Sequence, residues 1–445
     1  MQTKKLAAII LAVLLAVVVL PVGAVRAQQA SIAEIPLTLE VLEQRAIKNN
    51  PTLDQAEAAI RAAEGRRKQA GLWPNPIVGY DGDGMAFNSL VYPYRNGQYV
   101  YFEQNILTGG KLAKGKRIAA EEKARAEANA DAQRLRVLNA VRLLYYETLG
   151  AQQLVELRKQ LARLTQEAVK ISEELYNLGQ ADRPDVLAAE VEWQRADLEM
   201  MRAENDWSRV WQLLAAVTGD SSLTLALKPA RLAGALDAEA PRLDQAEMLA
   251  ALLRESPEMK AALAGVERAK AVVSRARAEP MPDIFVRGAV GYSNEWAEFY
   301  GGKTGWESRV EAGVRIPLFN RNQGNVAAAR AEQLAAEREV TRVELELRAR
   351  MAEAYNRYLT SLAIASRYNR ELLPRAEQAY EMYLAKFRQR GAAYPQVLIA
   401  QRTLFQLRTE SVAARVELWQ SVVQLRGLLL TDGLSAPSGM NRGND

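Results

Sequence analysis

Tyr176-Asn177-Leu178-Gly179-Gln180-Ala181-Asp182-Arg183-Pro184-Asp185-Val186-Leu187 stands between two long stretches of heptad-spaced apolar residues. Glycine ends a helix in a left-handed cap and proline opens the next one near its first turn. Asp182 and Asp185 suit the positive N-terminal end of that second helix. The segment predicts a tight corner between antiparallel helices. Upstream, the chain reads as helix from Gly109-Gly110 to Gly179, on the order of 100 Å. Leu154, Leu157, Leu161, Leu164, Ala168, Ile171, Leu175 and Leu178 keep 3-4 spacing there and predict a coiled-coil seam. Downstream, Trp193, Ala196, Met200, Ala203, Trp207, Val210, Leu214 and Val217 predict its partner.

A second corner lies further on, from Phe387 through Arg388, Arg390, Gly391, Tyr394, Pro395 and Gln396 to Val397 and Leu398. The return helix again carries a seam: Val397, Ala400, Leu404, Leu407, Ser411, Ala414, Leu418, Ser421, Leu425 and Leu428. The corners belong to a larger duplication. Pro51, Pro74 and Pro76 recur as Pro257, Pro280 and Pro282. Each repeat opens with a helix, Leu37 to about Leu72 and Leu243 to about Glu279, and Asp244 with Glu247 forms a capping box. The Pro-x-Pro pairs end these helices.

Between those helices and the long ones lie alternating stretches. Val310, Ala312, Val314, Ile316 and Leu318 alternate with Arg309, Glu311, Gly313 and Arg315. Ile284, Val286, Gly288, Val290 and Tyr292 do the same, with Arg287 on the other face. Val100, Phe102, Gln104 and Ile106 alternate with Tyr99, Tyr101, Glu103 and Asn105. Ile77 to Asp81 is the least regular of the four. Loops over Gly82–Gly97 and Ser293–Gly305 hold or border Tyr92, Tyr94, Trp296, Phe299 and Tyr300. Such strands suit a membrane β-barrel with an aromatic girdle, or equally a soluble antiparallel sheet. Four strands leave open edges that hydrocarbon does not tolerate, so a membrane barrel needs several copies of the chain.

Residues 1–27 read as a signal peptide. Lys4 and Lys5 precede the apolar run Leu6–Leu20, and Val25-Arg26-Ala27 supplies the small residues of a cleavage site after Ala27. Three basic residues leave with it, so 55 basic residues face 53 acidic ones in the remainder, and nucleic acid is not an implied partner. No other stretch is apolar for long enough to be a transmembrane helix. The chain has no cysteine and no histidine, which excludes thiol nucleophiles, histidine bases and the usual soft or imidazole metal ligands.

The two corners, the duplicated Pro-x-Pro helix ends and the strand-to-helix junctions "NILTGGK" (105–111) and "RIPLFNRNQG" (315–324) resemble the TolC-like outer-membrane efflux channels over about residues 35 to 433. The resemblance implies a mostly α fold with membrane β. Four strands per chain would enter a 12-stranded trimeric barrel, continued by coiled-coil hairpins as a periplasmic tunnel. It implies a passive exit duct with no cofactor. A periplasmic adaptor (membrane fusion) protein would dock at the tips, and an inner-membrane RND or ABC-type pump would drive export. Gly179, Asp185, Val186, Leu187, Gly391, Val397 and Leu398 match the tip motif. Asp182, Arg390, Tyr394 and Gln396 complete the expected gate and adaptor contact. The second tip departs from the pattern: it is one residue shorter, has Gln396 where aspartate is common, and has a basic flank. Asp182 and Asp185 are then the carboxylates available for an acidic constriction. Relatives anchored through an N-terminal lipidated cysteine have no counterpart here.

The expected organisation follows. Residues 28–225 form a first repeat, with strands about 76–107 and a hairpin over 110–219 whose tip is near 179–185. Residues 226–433 form a second, with strands about 282–319 and a hairpin over 324–431 whose tip is near 391–396. Residues 434–445 form a disordered tail. A periplasmic adaptor or a coiled-coil scaffold is the rival reading; an adaptor, however, has one hairpin between soluble β-domains, and this chain has two. Asp81-Gly82-Asp83-Gly84 lacks the further ligands of a calcium loop and reads as an exposed turn. Met200-Met201 reads as seam packing rather than soft-metal capture. Glu121 to Arg125 reads as a solvated face. Nothing in the sequence forms a phosphate loop or a catalytic triad.

Overall fold

Proline breaks the opening helix of each repeat. Pro51 and Pro257 cannot donate a backbone hydrogen bond, so the chain turns at Asn50 and Ser256 before them. The computed structural model describes residues 37–83, 97–224, 229–297, 301–388 and 394–436. From Thr38 onward the chain is one compact unit. In order, its elements are α1 (Leu39–Asn49), α2 (Pro51–Gln69), β1 (Ile77–Asp83), β2 (Gly97–Ile106), α3 (Lys111–Asn177), α4 (Arg183–Thr218) and the single turn α5 (Ser221–Thr224). Then follow α6 (Gln245–Glu255), α7 (Pro257–Ala278), β3 (Ile284–Ala297), β4 (Gly302–Val314), α8 (Gln323–Arg367), a π-turn (Tyr368–Leu372), α9 (Leu373–Arg388) and α10 (Tyr394–Arg426). The proposed leader, Tyr92, Tyr94, Phe299, Tyr300, Arg390, Gly391 and residues 437–445 lie outside the described residues.

Each opening helix is therefore a pair, not the single helix expected. Asn50 caps α2: its Oδ1 accepts from Thr52 N (2.9 Å), and its Nδ2 donates to the Val217 carbonyl at the end of α4 (2.7 Å). Gly219, left-handed at φ 66°, leaves no room for a Cβ beside the Asn49 carbonyl. The break thus seats α1 and α2 on the foot of the first hairpin. Asp244 Oδ1 accepts from Glu247 N (2.9 Å) at the start of α6, half of the expected capping box.

The four strands form one antiparallel sheet in the order β1-β2-β3-β4. Asp81, Gly82 and Asp83 belong to β1, paired with Tyr99, Gln98 and Gly97, rather than to a turn. β4 ends at Val314, so Ile316 and Leu318 fall in the junction beyond it, where Pro317 has no amide donor for a ladder.

α3 packs along α4 and also against α2, α7 and α10, while α8 packs on α7 and α10. The return seam on α4 lies as expected: Ala196, Ala203, Val210, Leu214 and Val217 are buried, and Trp193, Met200 and Trp207 are half-buried. On α3 the fully buried line below Gly150 is Val155, Ala162, Thr165 and Ser172, and Leu154, Leu157, Leu161, Ala168 and Leu175 of the predicted seam are half-buried beside it. Leu164, Ile171 and Leu178 are exposed. Small side chains, Ala162, Thr165 and Ser172 on α3 and Ala196 and Ala203 on α4, take the fully buried positions. Thr165 Oγ1 satisfies itself on the Leu161 carbonyl (2.9 Å). On α10 Val397, Leu404, Ser411, Ala414, Leu418, Ser421 and Leu425 of the predicted seam are buried, and Ala400 and Leu407 are half-buried.

The second descending helix, expected to be continuous, widens at the π-turn. Pro374, two residues past the turn, offers no amide to the Arg370 carbonyl, so the regular ladder cannot run through. Tyr368 holds the wide turn to α10 by donating to Glu410 Oε2 (3.0 Å). A connector after α5 crosses both hairpins on side-chain donors. Tyr145 donates to the Ala233 carbonyl (2.6 Å), Trp419 Nε1 to Leu236 (3.2 Å) and Tyr358 to Pro241 (2.8 Å). Burial pushes the Tyr145 phenol up to about 12, with smaller contributions from Tyr146 and Glu40.

Candidate functional site

The sheet has two chemically opposite faces. Its register places Val78, Phe102, Gly288 and Val310 on one row and Tyr80, Val100, Val290 and Ser308 on another. The apolar side chains of these rows are solvent-exposed, Val310 by 82%. The opposite face is polar and internally bonded. Tyr99 is only 2% exposed, and its hydroxyl donates to the Glu307 carboxylate. Arg309 lies 3.9 Å above the Tyr99 ring, and its Nη2 donates to Tyr99 Oη (2.5 Å) and to Glu307 Oε1 (2.7 Å). These contacts link β2 to β4 across Gly291 of β3, where any Cβ would run into the Tyr99 ring and the Gln98 carbonyl. A parallel link joins β1 to β3: Arg287 lies 3.9 Å over the Tyr101 ring and donates to Asp81 Oδ2 at 3.2 Å. Asp81 and Arg287 are 206 residues apart, the offset of the duplication, so equivalent positions carry opposite charge and meet.

Sequence alternation puts these residues on the polar face. It does not show the pairing, which skips a strand and depends on glycine in the strand between. Among the described residues, both edge strands, β1 and β4, have one side without a partner.

At the other end, the first tip is a Schellman motif. Gly179 (φ 71°) donates to Tyr176 O (2.9 Å), and Gln180 N donates to Leu175 O (2.8 Å). Asp182 is the N-cap of α4. Asp185 accepts from Asp182 N at 3.3 Å, and its own N donates to the Asp182 carbonyl at 3.0 Å. Gly179, Asp182, Asp185 and Leu187 are exposed, and Val186 is fully buried. At the second tip, Tyr394 opens α10, Gln396 is exposed, Val397 is buried and Leu398 is half-buried. Val186 and Val397 therefore anchor matching return helices. Above the tips, Leu398 and Phe405 line a groove of about 410 Å³ with Arg158, Glu192 and Arg195. Arg402 closes it by donating from Nε to Glu192 Oε2 at 3.1 Å.

Where helices meet sheet, Lys111 Nζ donates to Asp283 Oδ2 (2.7 Å), and Thr108 N donates to Asp283 Oδ1 (2.9 Å). Burial would raise the Asp283 carboxyl, but these donors together pull it below its ordinary value. Nearby, Arg67 grips Glu64 with two nitrogens (2.9 and 2.8 Å) and holds its carboxyl down at about 2.

Among the described residues, no group of three acidic side chains is placed to hold a metal ion. None of the described helices is long and apolar enough to cross a membrane, which leaves a β-barrel untouched. The duplicated halves match one known family twice, over residues 42–220 and 248–429, and that family is the outer membrane efflux proteins. The chain belongs to it.

This outer membrane efflux protein is 28% identical over 404 residues to the cobalt-zinc-cadmium resistance protein CzcC of Cupriavidus metallidurans, covering 88% of this chain and 90% of that one. Its fold is that of the outer membrane protein VceC of Vibrio cholerae (TM-score 0.69, 19% identity, 89% of this chain and 96% of that). It is likewise that of the CmeC outer membrane channel of Campylobacter jejuni (TM-score 0.72, 15% identity, 90% and 86%). Membership places the efflux protein in outer-membrane transport and implies no catalytic role.

Proposed function

We propose that three copies of this outer membrane efflux protein close their four-stranded sheets into one twelve-stranded barrel. The exposed apolar rows face lipid, and the Tyr99–Glu307–Arg309 face lines the duct. The observation that carries the reading is the sheet itself, apolar and exposed on one side, polar and bonded on the other, with β1 and β4 edges that have no partner among the described residues. A bilayer tolerates such a sheet only when every edge is paired, so β4 of one copy meets β1 of the next. Leu164, Ile171 and Leu178, exposed along and just beyond α3, support the same assembly, because a neighbouring hairpin can cover them.

The hairpins extend the barrel as a periplasmic tunnel. Its tips, with Gly179, Asp182, Asp185, Val186 and Leu187 on one corner and Arg390, Gly391, Tyr394, Gln396, Val397 and Leu398 on the other, form the gate and adaptor contact. A periplasmic adaptor opens them by a small twist of the helix pairs, and an inner-membrane RND or ABC-type pump supplies the energy. The pump selects the cargo. The likeness to CzcC makes divalent cations one cargo to test, and a wall without histidine or cysteine would release them readily. The repeats, 28–225 and 226–433, are the duplicated units of this device.

The test is export in a diderm bacterium, separation of the two membranes, extraction in mild detergent and mass determination by light scattering. An outer-membrane particle of three chains is expected. A soluble periplasmic or inner-membrane species would overturn the barrel. Cysteines at Ala181 and Ala393, crosslinked, are expected to stop transport with assembly intact, and continued transport would refute the gate.

A further inference from the structure

The junction between sheet and helices is unevenly charged. Residues 65–80 hold three basic side chains, 104–120 four, 274–284 two and 312–331 three. The same stretches hold only two acids, Glu279 and Asp283, and both are already paired, to Arg275 and Lys111. Over the whole chain 58 basic residues meet 53 acidic ones, so the excess is local. The four stretches touch one another. Gly71 abuts the Lys116 side chain, Gly109 abuts Met281, and Asn322 Nδ2 donates to the Ala276 carbonyl at 2.9 Å. They therefore form one continuous belt.

The belt borders exposed apolar side chains. Leu72, Trp73, Met281, Leu318 and Phe319 are all at least half exposed, Phe319 by 90%. Leu318 follows β4 in the junction beyond the end of the strand. Just inside the belt, a cleft of about 380 Å³ opens between α3, α7 and α8, lined by Lys114, Lys270, Ser274, Arg277, Met281 and Gln333. Lys270 is paired with Glu267 (2.7 Å), and Lys114 donates to the Gly109 carbonyl (2.5 Å). Among the described residues Arg277 makes no ion pair.

We propose that this belt is a docking collar for anionic phospholipid of the inner leaflet. The headgroup phosphate of one lipid per chain sits in the cleft between Lys114 and Arg277, with acyl chains against the apolar side chains above. The inference rests on the sheet lying in the bilayer. Charge complementarity selects an anionic headgroup, and continuity with the apolar face of the sheet selects a lipid over a free anion. A cation beside an anionic membrane surface contributes about 1 kcal/mol, which is about five-fold in affinity.

The detergent-purified assembly is titrated with phosphatidylglycerol, phosphatidylcholine or inorganic phosphate and read by native mass spectrometry. Retention of phosphatidylglycerol over phosphatidylcholine is expected, weakening with salt. R277Q should lose about five-fold and K114Q/R277Q about twenty-five-fold. Equal retention of the two lipids, undiminished phosphatidylglycerol binding by K114Q/R277Q, or displacement by millimolar phosphate would each overturn the proposal. If the double variant fails to assemble, R277Q and the salt series decide. The same spectra report the oligomer. An assembled channel indifferent to phosphatidylglycerol sinks only the collar, whereas a protein that stays monomeric sinks the barrel as well.

Discussion

Lys111 Nζ and Asp283 Oδ2 lie 2.7 Å apart and join the first residue of α3 to the residue before β3, so one ion pair ties the two repeats together where helix meets sheet. Lys111 is 4% exposed. D283N would leave a buried ammonium without its counter-charge and should cost about 2 kcal/mol, discounted for the partial exposure of Asp283. K111M/D283L should cost less than D283N, because no buried charge remains. The folded carboxyl titrates below its unfolded value. Its contribution is therefore present at neutral pH and fades as pH falls below about 4. Thermal denaturation of the three proteins at pH 7 and at pH 3 checks both points, and a D283N melting temperature equal to wild type at pH 7 would contradict the argument.

Gly291 and Gly288 sit on opposite faces of β3 and should respond oppositely to a methyl group. A Cβ at Gly291 would strike the Gln98 carbonyl and the Tyr99 ring, and one at Gly288 meets nothing within 4 Å. G291A should break the β2–β3 register and abolish assembly, and G288A should be tolerated. Heat-modifiable migration in a detergent gel reads the outcome, and equal yields would remove the role given to the Tyr99 ring.

Val310 and Glu311 are neighbours on β4 with opposite surroundings. If Val310 faces hydrocarbon, V310R costs about 2–4 kcal/mol at mid-depth. E311R on the polar face should insert normally and alter conductance instead. Outer-membrane yield and single-channel current in planar bilayers separate the two, and a well-inserted V310R would place that face against water.

Gly179 has open space around it, so its cost on substitution is conformational alone. G179A should destabilise the first tip by about 1 kcal/mol, and G179N by less, since asparagine tolerates the left-handed region. Hydrogen exchange at the amides of Gly179 and Gln180 reads the fraying, which should leave Val186 protected.

Tyr145 should produce an alkaline signature. Its folded phenol is raised to about 12, so its hydrogen bond to Ala233 is fully effective below pH 10 and fades between 10 and 12 as the unfolded chain ionises first. Y145F should lose about 1 kcal/mol at pH 8 by orphaning that carbonyl. The gap between wild type and Y145F should then narrow towards pH 12. A constant gap would show that the hydroxyl is not the donor.

Much of this was legible because it is local. Glycine and proline at the first tip, the alternation of β3 and β4 and the α4 seam each depend on neighbours a few residues away. The failures came from distance. On α3 heptad spacing alone favoured the leucines, which are at most half-buried, over Ala162, Thr165 and Ser172, which are buried. The break before Pro51 was visible as a proline but not as a hinge, because its cap bonds to Val217, 167 residues away. The Tyr99–Glu307–Arg309 cluster needs the β2-β3-β4 order before its members become neighbours.

The π-turn at Tyr368–Leu372 has a consequence for how this chain can vary. A wide turn absorbs about one residue more than a regular one. Losing one residue there would restore an ordinary turn and leave α8 and α9 presenting the same sides to their neighbours. Elsewhere in a regular helix, one residue lost rotates everything beyond it by about 100°. Tyr368–Leu372 is thus a place where the length of the second hairpin can drift between relatives while both of its packed ends stay aligned.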